Sequence, residues 1–142
     1  MAGNTTLTII KPDAFASGKA GQIIAHLEAG GFRVLAARVL HMTEAQAGAF
    51  YEVHKERPFY GSLVKFMTSG PCMPMVLEKS DAVLGLRDAI GATDPAEAAA
   101  GTVRKLYAES KERNAIHASD SDENAGREAR FFFSEAELLA AR

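Results

Sequence analysis

Short β-branched or aliphatic segments alternate with segments of helical periodicity along this 142-residue chain. Residues 5–10 (TTLTII), 32–40 and 72–78 have the composition of strands. The segment 21–31 carries apolar residues at helical spacing and ends at two glycines, a common signal for the end of a helix. Strands and helices in this order form a small sheet covered by helices. The sequence therefore predicts an α+β fold.

Several other segments carry helix signals. Thr43 followed by Gln46 fits a capping box, Ser80 or Asp81 can cap a later helix, and Gly91 is its expected stop. The further predicted helices span 43–56, a short stretch within 55–67, 80–91, a short turn of helix starting at 94–97, and a last helix from Ser121 or Asp122 to about Phe131. Residues 114–117 (NAIH) form a brief extended segment before that last helix.

Two prolines limit the strands. Pro12 has no N–H for a sheet ladder, so the first strand ends there and leaves Lys11 at its tip. Pro74 lies inside the third strand, which indicates an edge position or a bulge.

Composition excludes several classes of protein. The length and the 47% hydrophobic content predict one domain, 1–142. A net charge of −2, with mixed signs along the chain, argues against general nucleic-acid binding. No run approaches the roughly 18 apolar residues of a membrane span, so a cytoplasmic protein without membrane attachment is expected. The only cysteine, Cys72, lies in an apolar run and is expected in the core.

The sequence has no glycine-rich phosphate loop of either common type. A di- or triphosphate would then be held by cations at the ends of elements, where Lys11, Arg87 and Arg104 are predicted to lie. Each of these cations, taken singly, is also typical of a solvated surface. Thr93, before a predicted turn, is equally typical of a capping hydroxyl.

His117 is the histidine with the most suggestive surroundings. One interpretation is an exposed, solvated loop histidine. The other is a reactive imidazole, because Ser119 follows it and Glu128 comes eleven residues later on the predicted last helix. A carboxylate against one ring nitrogen would fix the tautomer and leave the other nitrogen free as a nucleophile. The spacing leaves both interpretations open.

The sequence lacks the motifs of common metal sites and of serine hydrolases. The sequence contains no H-E-x-x-H or C-x-x-C motif, so no protein-bound metal is predicted, and the acidic residues of SDSDE suit a helix cap. The G-x-S-x-G motif of a serine hydrolase is absent as well.

Five segments together resemble the nucleoside diphosphate kinase family, from about Thr5 to Phe133. They appear in the family's order: TIIKPDA, FYEVHKERPFYGSLVKFMTSGP, MVLE, GATDPAEAAAGTVR and NAIHASDS. The histidine loop together with KPD and ERPFY is highly specific.

The resemblance implies a ferredoxin-like βαββαβ core with a four-stranded antiparallel sheet covered by helices. It implies a ping-pong reaction in which a nucleoside triphosphate, mainly ATP, gives its γ-phosphoryl group to a histidine, which passes it to a nucleoside diphosphate. It also implies Mg²⁺ carried by the nucleotide phosphates, and a homo-oligomer built from dimers, either a tetramer or a hexamer.

The resemblance also assigns roles by position. His117 is the phosphorylated nucleophile, Glu128 and Ser119 orient it, and Tyr51 lies beside it. The positions that match nucleotide contacts are Lys11, Phe59, Leu63, Arg87, Thr93, Arg104 and Asn114. Because every base has a π-face, stacking on Phe59 predicts poor discrimination between bases.

Three departures from the family pattern stand out. Ala118 replaces a glycine after the histidine, and would be strained if that position needed a positive φ. Lys105 and Leu106 replace a small residue and an acid or amide, which affects local salt bridges and an oligomer contact. Lys111 replaces an aliphatic residue over the base, where its methylene stem can still pack.

Two other functions fit the sequence less well. A protein-directed phosphohistidine carrier would not need Phe59 and Asn114, which suit a nucleotide. A non-catalytic, ferredoxin-like regulatory or binding module would not need an intact His117 with its cations.

Overall fold

The computed structural model describes residues 3–141. Its centre is a sheet of four strands, β1 (Thr5–Ile10), β2 (Arg33–Ala37), β3 (Met73–Glu78) and β4 (Ile116–Ala118). The strand order is β2-β3-β1-β4, and every neighbouring pair is antiparallel. The predicted α+β fold with a four-stranded antiparallel sheet is confirmed.

Helices cover both faces of this sheet. They are α1 (Pro12–Ala16), α2 (Ala20–Ala29), α3 (Glu44–Phe50), α4 (Tyr60–Met67), α5 (Ala82–Ile90), α6 (Val103–Tyr107), α7 (Asp122–Phe132) and α8 (Glu135–Ala140). Within residues 3–141, none of the helices is long and apolar enough to cross a membrane.

The central strand β1 is buried on both faces. Leu7 and Ile9 pack into an apolar cluster with side chains of α3 and α7, while Ile10 packs into a second cluster with side chains of α2 and α5. Thr6 and Thr8 are also buried. The polar positions of TTLTII therefore mark a strand covered on both sides rather than a half-solvated one.

Predicted helix ends agree with the structure at several places. Thr43 and Gln46 form the capping box at the start of α3. Gly91 ends α5 with φ +88, a conformation that glycine adopts without a steric cost. The side chain of Ser121 caps α7 by accepting a hydrogen bond from Asn124 N–H. Cys72 is buried, as expected, and burial raises the pKa of its thiol to about 11.

Three helix predictions were wrong in detail. The helix expected over 43–56 stops at Phe50 and continues only as a 3₁₀ turn at Glu52–His54. Residues 94–97 form a turn closed by a bond from Glu97 N–H to the Asp94 carbonyl, not a helix. Asp81 precedes α5 with φ +54, and its side chain makes no capping hydrogen bond.

Pro74 does not lie on an edge strand, because β3 runs between β2 and β1. Its carbonyl accepts from Arg38 N–H, so its nitrogen also faces the β2 side. The strand β2 has already ended at Ala37, and the missing N–H breaks no bond within the named ladder. The irregularity in pairing lies instead in β2, between Val34 and Ala36.

Candidate active site

The edge strand β4 presents His117. In the β1–β4 ladder, His117 lies opposite Ile9. The hydroxyl of Thr8 donates to the His117 carbonyl at 2.6 Å, which fixes the backbone of β4 at this point. The His117 side chain is 18% exposed, so the imidazole is largely enclosed but still reachable from solvent.

Glu128, on α7, lies against the imidazole. Its Oε1 is 2.8 Å from Nε2 of His117 and also accepts from Oγ of Ser119 at 2.6 Å. Its Oε2 is 3.6 Å from the guanidinium of Arg127. Burial acts to raise the pKa of Glu128, but the His117 and Ser119 hydrogen bonds and the nearby Arg127 charge outweigh burial, and that pKa is lowered.

The ionisation of Glu128 decides the tautomer of His117. A carboxylate only accepts hydrogen bonds, so Nε2 of His117 must carry the proton in this pair. The other nitrogen, Nδ1, then keeps its lone pair in the neutral imidazole. This is the arrangement of an activated histidine nucleophile.

Two aromatic rings enclose the imidazole edge-on. The ring centroid of Phe50 lies 5.5 Å from that of His117, and the centroid of Tyr51 lies 6.2 Å from it. The Tyr51 hydroxyl is buried and makes no hydrogen bond with the described residues. Burial, with the Glu128 charge beside it, raises the pKa of Tyr51. The phenol therefore stays protonated and keeps a free donor beside His117.

A strained turn precedes the histidine. Ile116 N–H donates to the Asn114 carbonyl at 2.9 Å, and Ala115 between them has φ +76. This is a γ-turn with a positive central φ, which is rare and costly for an L-residue. Asp13 holds it by accepting from Ala115 N–H, and Lys11 N–H donates to the Ala115 carbonyl. The turn thus fixes Asn114 and His117 relative to the end of β1.

Lys11 lies at the tip of β1, as predicted, with its side chain buried. Its Nζ donates to Oδ1 of Asn114 at 2.9 Å, and the Asn114 amide donates to the Thr93 carbonyl at 3.2 Å. Burial and the charge of Arg104 lower the pKa of Lys11 to about 8, although Asp13 opposes them. An anion bound next to Lys11 would therefore stabilise the charged form of its side chain.

Arg104, the second residue of α6, links the segment after α5 to the histidine strand. Its guanidinium donates to the carbonyls of Gly91 and Ile116, at 3.0 and 2.8 Å. Its Nε is buried and makes no hydrogen bond with the described residues. Burial and the charge of Arg87 lower the pKa of Arg104 to about 10. Two cations in this position attract and hold anions.

Two cavities adjoin at Thr93, which lines both. The smaller, of about 520 Å³, is lined by Arg87 and Arg104 and has the cationic wall that phosphates require. The larger, of about 740 Å³, is mostly apolar and is lined by Lys11, Phe59, Ser62, Leu63, Phe66, Thr93, Ser110, Lys111, Glu112 and Asn114. The Phe59 ring is 48% exposed and offers one face for stacking.

The predicted residues therefore lie in three places: around the imidazole, in the lining of the smaller cavity and in the lining of the larger cavity. His117, Glu128, Ser119 and Tyr51 form the imidazole group, and neither cavity is lined by them. Arg104, which lines the smaller cavity, donates to the Ile116 carbonyl next to His117. Asn114, which lines the larger cavity, accepts a bond from Ile116 N–H through its own carbonyl.

The departures from the family pattern have limited consequences. Ala118, in β4, pairs with Thr8 of β1. Among the described residues it is not one with a positive φ, so alanine is unstrained there. Lys105 donates to the Pro95 carbonyl at 3.4 Å, and the Leu106 side chain is exposed.

Sequence reasoning missed four residues of the site. Thr8, Asp13, Phe50 and Arg127 contact the histidine, its strand or Glu128. Only Asp13 carried a signal, since it belongs to the KPD motif. The others become visible only when the strands and helices are assembled.

Within residues 3–141, no group of three or more histidine, cysteine or carboxylate side chains is placed to hold a metal ion. The charged side chains that line the smaller cavity are two arginines, Arg87 and Arg104, and one carboxylate, Asp88. This net positive lining suits the phosphates of a nucleotide.

The family model described as "Nucleoside diphosphate kinase" matches residues 4–138. A relative from Chlorobium chlorochromatii with the same name is 60% identical over 134 residues, covering 94% of this chain and 96% of its own length. The chain belongs to the nucleoside diphosphate kinase family.

Other members of the nucleoside diphosphate kinase family are similar over the same extent. A relative from Gluconacetobacter diazotrophicus is 55% identical over 139 residues, covering 98% of this chain and 99% of its own length. The solved structure of the Aquifex aeolicus nucleoside diphosphate kinase has a TM-score of 0.92 at 44% identity, covering 94% of this chain and 97% of that one.

Proposed function

We propose that this chain is a nucleoside diphosphate kinase that transfers the γ-phosphoryl group of a nucleoside triphosphate, mainly ATP, to a nucleoside diphosphate through a phosphohistidine at His117. The observation that carries this proposal is the contact between His117 Nε2 and the ionised Glu128. It leaves Nδ1 as the free nucleophile, and Arg104, which lines the cationic cavity, donates to the carbonyl of the neighbouring Ile116.

The proposed first step is an in-line displacement at the γ-phosphorus. The lone pair of His117 Nδ1 forms the N–P bond, and the bond from phosphorus to the β,γ-bridging oxygen breaks. The electron pair of that bond leaves with the nucleoside diphosphate. The second step reverses the first, with the β-phosphate oxygen of another nucleoside diphosphate as the acceptor. One site can serve both steps because they are chemically alike.

The roles of the phosphate-binding residues follow from positioning and charge. Phosphoryl transfer needs little covalent chemistry from the protein and depends mostly on electrostatic stabilisation. Arg87, Arg104 and Lys11 supply the positive charge, and Thr93 offers a hydroxyl where the two cavities adjoin. The Tyr51 hydroxyl, which has no other partner in residues 3–141, is proposed to donate near the transferred group.

The nucleoside is proposed to occupy the larger cavity. Its base stacks on Phe59 with Leu63 beside it, and its ribose hydroxyls contact Asn114 and Lys11. Stacking accepts any base, which favours broad base tolerance.

Magnesium is proposed to bind through the nucleotide phosphates. The two arginines that line the smaller cavity, Arg87 and Arg104, suit the phosphates that would carry the ion. When bound, the ion would add to the positive charge that Arg87, Arg104 and Lys11 bring to the phosphates.

Assembly and location remain predictions. We propose one domain, a homo-oligomer built from dimers as a tetramer or a hexamer, and a cytoplasmic location, where nucleotides are the expected partners. No observation favours the alternative of a non-catalytic module, because the histidine, its orienting carboxylate and the cations are all in place.

The experiment incubates the protein with γ-labelled ATP and Mg²⁺ and then adds unlabelled GDP. Label that is lost in acid, kept in base and released as GTP supports the proposal. His117→Ala should take up no label, whereas His26→Ala, on α2 away from both cavities, should behave as the unchanged protein. Equal labelling of the His117→Ala variant would overturn the proposal.

A further inference from the structure

Asp13 is a buried carboxylate in the first turn of α1, close to the tip of β1, and is only 4% exposed. Its Oδ2 accepts from Ala115 N–H at 3.0 Å, whereas its Oδ1 is buried and makes no hydrogen bond with the described residues. Burying a carboxylate with an unpaired oxygen costs free energy. A buried group that is only half satisfied is poorly explained by stability alone.

The bond from Ala115 holds the chain at its strained turn. Ala115 has φ +76 and is fully buried. This conformation is costly for alanine and persists only where neighbouring groups hold it. Its N–H is held by Asp13, and its carbonyl accepts from Lys11 N–H at 2.9 Å. Of these two contacts only the one from Asp13 uses a side chain, so it can be removed by substitution.

The turn determines where Asn114 lies. The ladder between β1 and β4 begins at Ile116, so it does not hold Asn114. Oδ1 of Asn114 accepts from Lys11 Nζ at 2.9 Å, and its amide donates to the Thr93 carbonyl at 3.2 Å. A relaxed turn would therefore displace Asn114 from Lys11 and Thr93, which line the larger cavity with it.

We propose that Asp13 is a positioning residue, which holds the strained turn and through it keeps Asn114 in contact with Lys11. The inference rests on the proposed function, because it concerns the placement of an ammonium that would meet the phosphates. Asp13 lines neither cavity, so it acts through the turn and not by touching the nucleotide. Phosphoryl transfer depends on positioning, and a displacement of about 1 Å can slow a reaction roughly 100-fold.

The carboxylate also opposes the loss of charge at Lys11. Burial and the charge of Arg104 lower the pKa of Lys11 to about 8, and Asp13 acts to raise it. The other charged groups that line the same cavity are Lys111 and Glu112, on an exposed loop. Asp13→Asn would keep an acceptor for the turn but remove the charge, so it separates the hydrogen bond from the electrostatic effect.

Single-turnover labelling of His117 by saturating γ-labelled ATP with Mg²⁺ tests the inference, because its rate constant does not depend on the fraction of protein that is folded. Asp13→Ala should lower this rate constant roughly 10- to 100-fold. Asp13→Asn should stay within about threefold of the unchanged protein at about pH 6.5, since it keeps the acceptor. Asp81→Asn, an exposed residue just before α5, is the control and should leave the rate constant unchanged.

Ala115→Gly tests whether Asp13 acts through the turn. Glycine adopts a positive φ without strain, so the turn no longer has to be held. In a protein that carries Ala115→Gly, the further change Asp13→Ala should slow labelling by about threefold or less. ADP affinity, measured by calorimetry, should follow the same pattern, with a several-fold loss in Asp13→Ala that Ala115→Gly restores.

Three results would overturn the inference: a rate constant in Asp13→Ala within about twofold of the unchanged protein, equal slowing by Asp13→Ala with and without Ala115→Gly, or Asp13→Asn as slow as Asp13→Ala. If Asp13→Ala alone does not fold, Ala115→Gly should restore folding, and a double variant that stays unfolded would also overturn it. None of these results affects the proposed function, which fails if the unchanged protein takes no label on His117. The ADP affinities would still test the role of Asp13 in that case.

Discussion

The carboxylate of Glu128 lies 2.8 Å from Nε2 of His117 and holds the imidazole in a fixed tautomer. The same oxygen accepts from Ser119, so three side chains from β4, the loop after it and α7 converge on one point. The direction of the reactive nitrogen is therefore set by how α7 packs on the edge of the sheet.

Replacement of Glu128 by Gln should slow turnover about 10- to 100-fold while the KM for nucleotides changes little, because the orienting group acts on the nucleophile and not on the substrate. Steady-state kinetics with ATP and GDP would measure both constants. Glu123→Gln, an exposed residue on the first turn of α7, is the matched control. Unchanged turnover in Glu128→Gln would show that the carboxylate does not orient the imidazole.

Nucleotide affinity should fall as the pH rises above about 8. The folded pKa of Lys11 is lowered to about 8 from its ordinary value of 10.5, so its ammonium is lost from the free protein above that pH. Affinity for ADP measured between pH 7 and 10 should show this loss. Lys11→Arg, which stays charged, should show a flatter profile, and an equally steep profile would contradict the assignment.

The lowered pKa of Lys11 should make the free protein more stable as the pH rises, although nucleotide affinity falls. Between pH 8 and 10.5 the unfolded chain binds more protons at Lys11 than the folded one, so this group makes folding more favourable as the pH rises. Lys11→Met should remove that contribution from urea unfolding curves recorded across this window. A Lys11→Met profile that matches the unchanged protein would argue against the lowered pKa.

Replacing Arg104 should lower both stability and activity, whereas replacing Arg87 should lower activity alone. Arg104 is buried and donates to two carbonyls, so Arg104→Met should cost about 2–4 kcal/mol of unfolding free energy as well as activity. Arg87 is exposed, so Arg87→Met should raise the KM while the unfolding free energy stays within about 0.5 kcal/mol. Urea unfolding and kinetics on both variants provide the comparison. Equal loss of stability in the two variants would contradict the structural role of Arg104.

Phe59→Ala should weaken nucleotide binding by about 1–3 kcal/mol, the usual value of stacking a base on an aromatic ring. The His117 nucleophile is untouched, so saturating ATP should still phosphorylate the variant. Phe59→Tyr keeps the ring and serves as the control. Calorimetry with ADP would give the affinities, and an Ala variant that binds as tightly as the Tyr variant would exclude stacking at this position.

Local signals in the sequence predicted much of the fold. The strand 5–10, the capping box at Thr43 and the stop at Gly91 each depend on a few neighbouring residues, and the structure agrees with all three. Pro74 was misplaced because a proline's effect on a sheet depends on where the neighbouring strand ends, which is tertiary information. The helix α8 was not predicted, although Ser134 and Glu137 form a capping box that the sequence already contained.

The candidate site was predictable only in part for a similar reason. The spacing between the two residues allowed Glu128 to reach His117. It was equally compatible with an exposed, solvated histidine that has no catalytic role. Phe50 and Thr8 lie far from His117 along the chain and meet it only through the packing of α3 and the β1–β4 ladder. The γ-turn at Ala115 has no signature in NAIH, because alanine does not favour a positive φ.

The position of the phosphoryl group on the imidazole tests the proposed mechanism. Phosphorus NMR of the protein after brief incubation with ATP and Mg²⁺, then denaturation in base, distinguishes the two phosphohistidine isomers. We predict phosphate on Nδ1 of His117, because Nε2 is held by Glu128. Phosphate on Nε2, or on a residue other than His117, would contradict it.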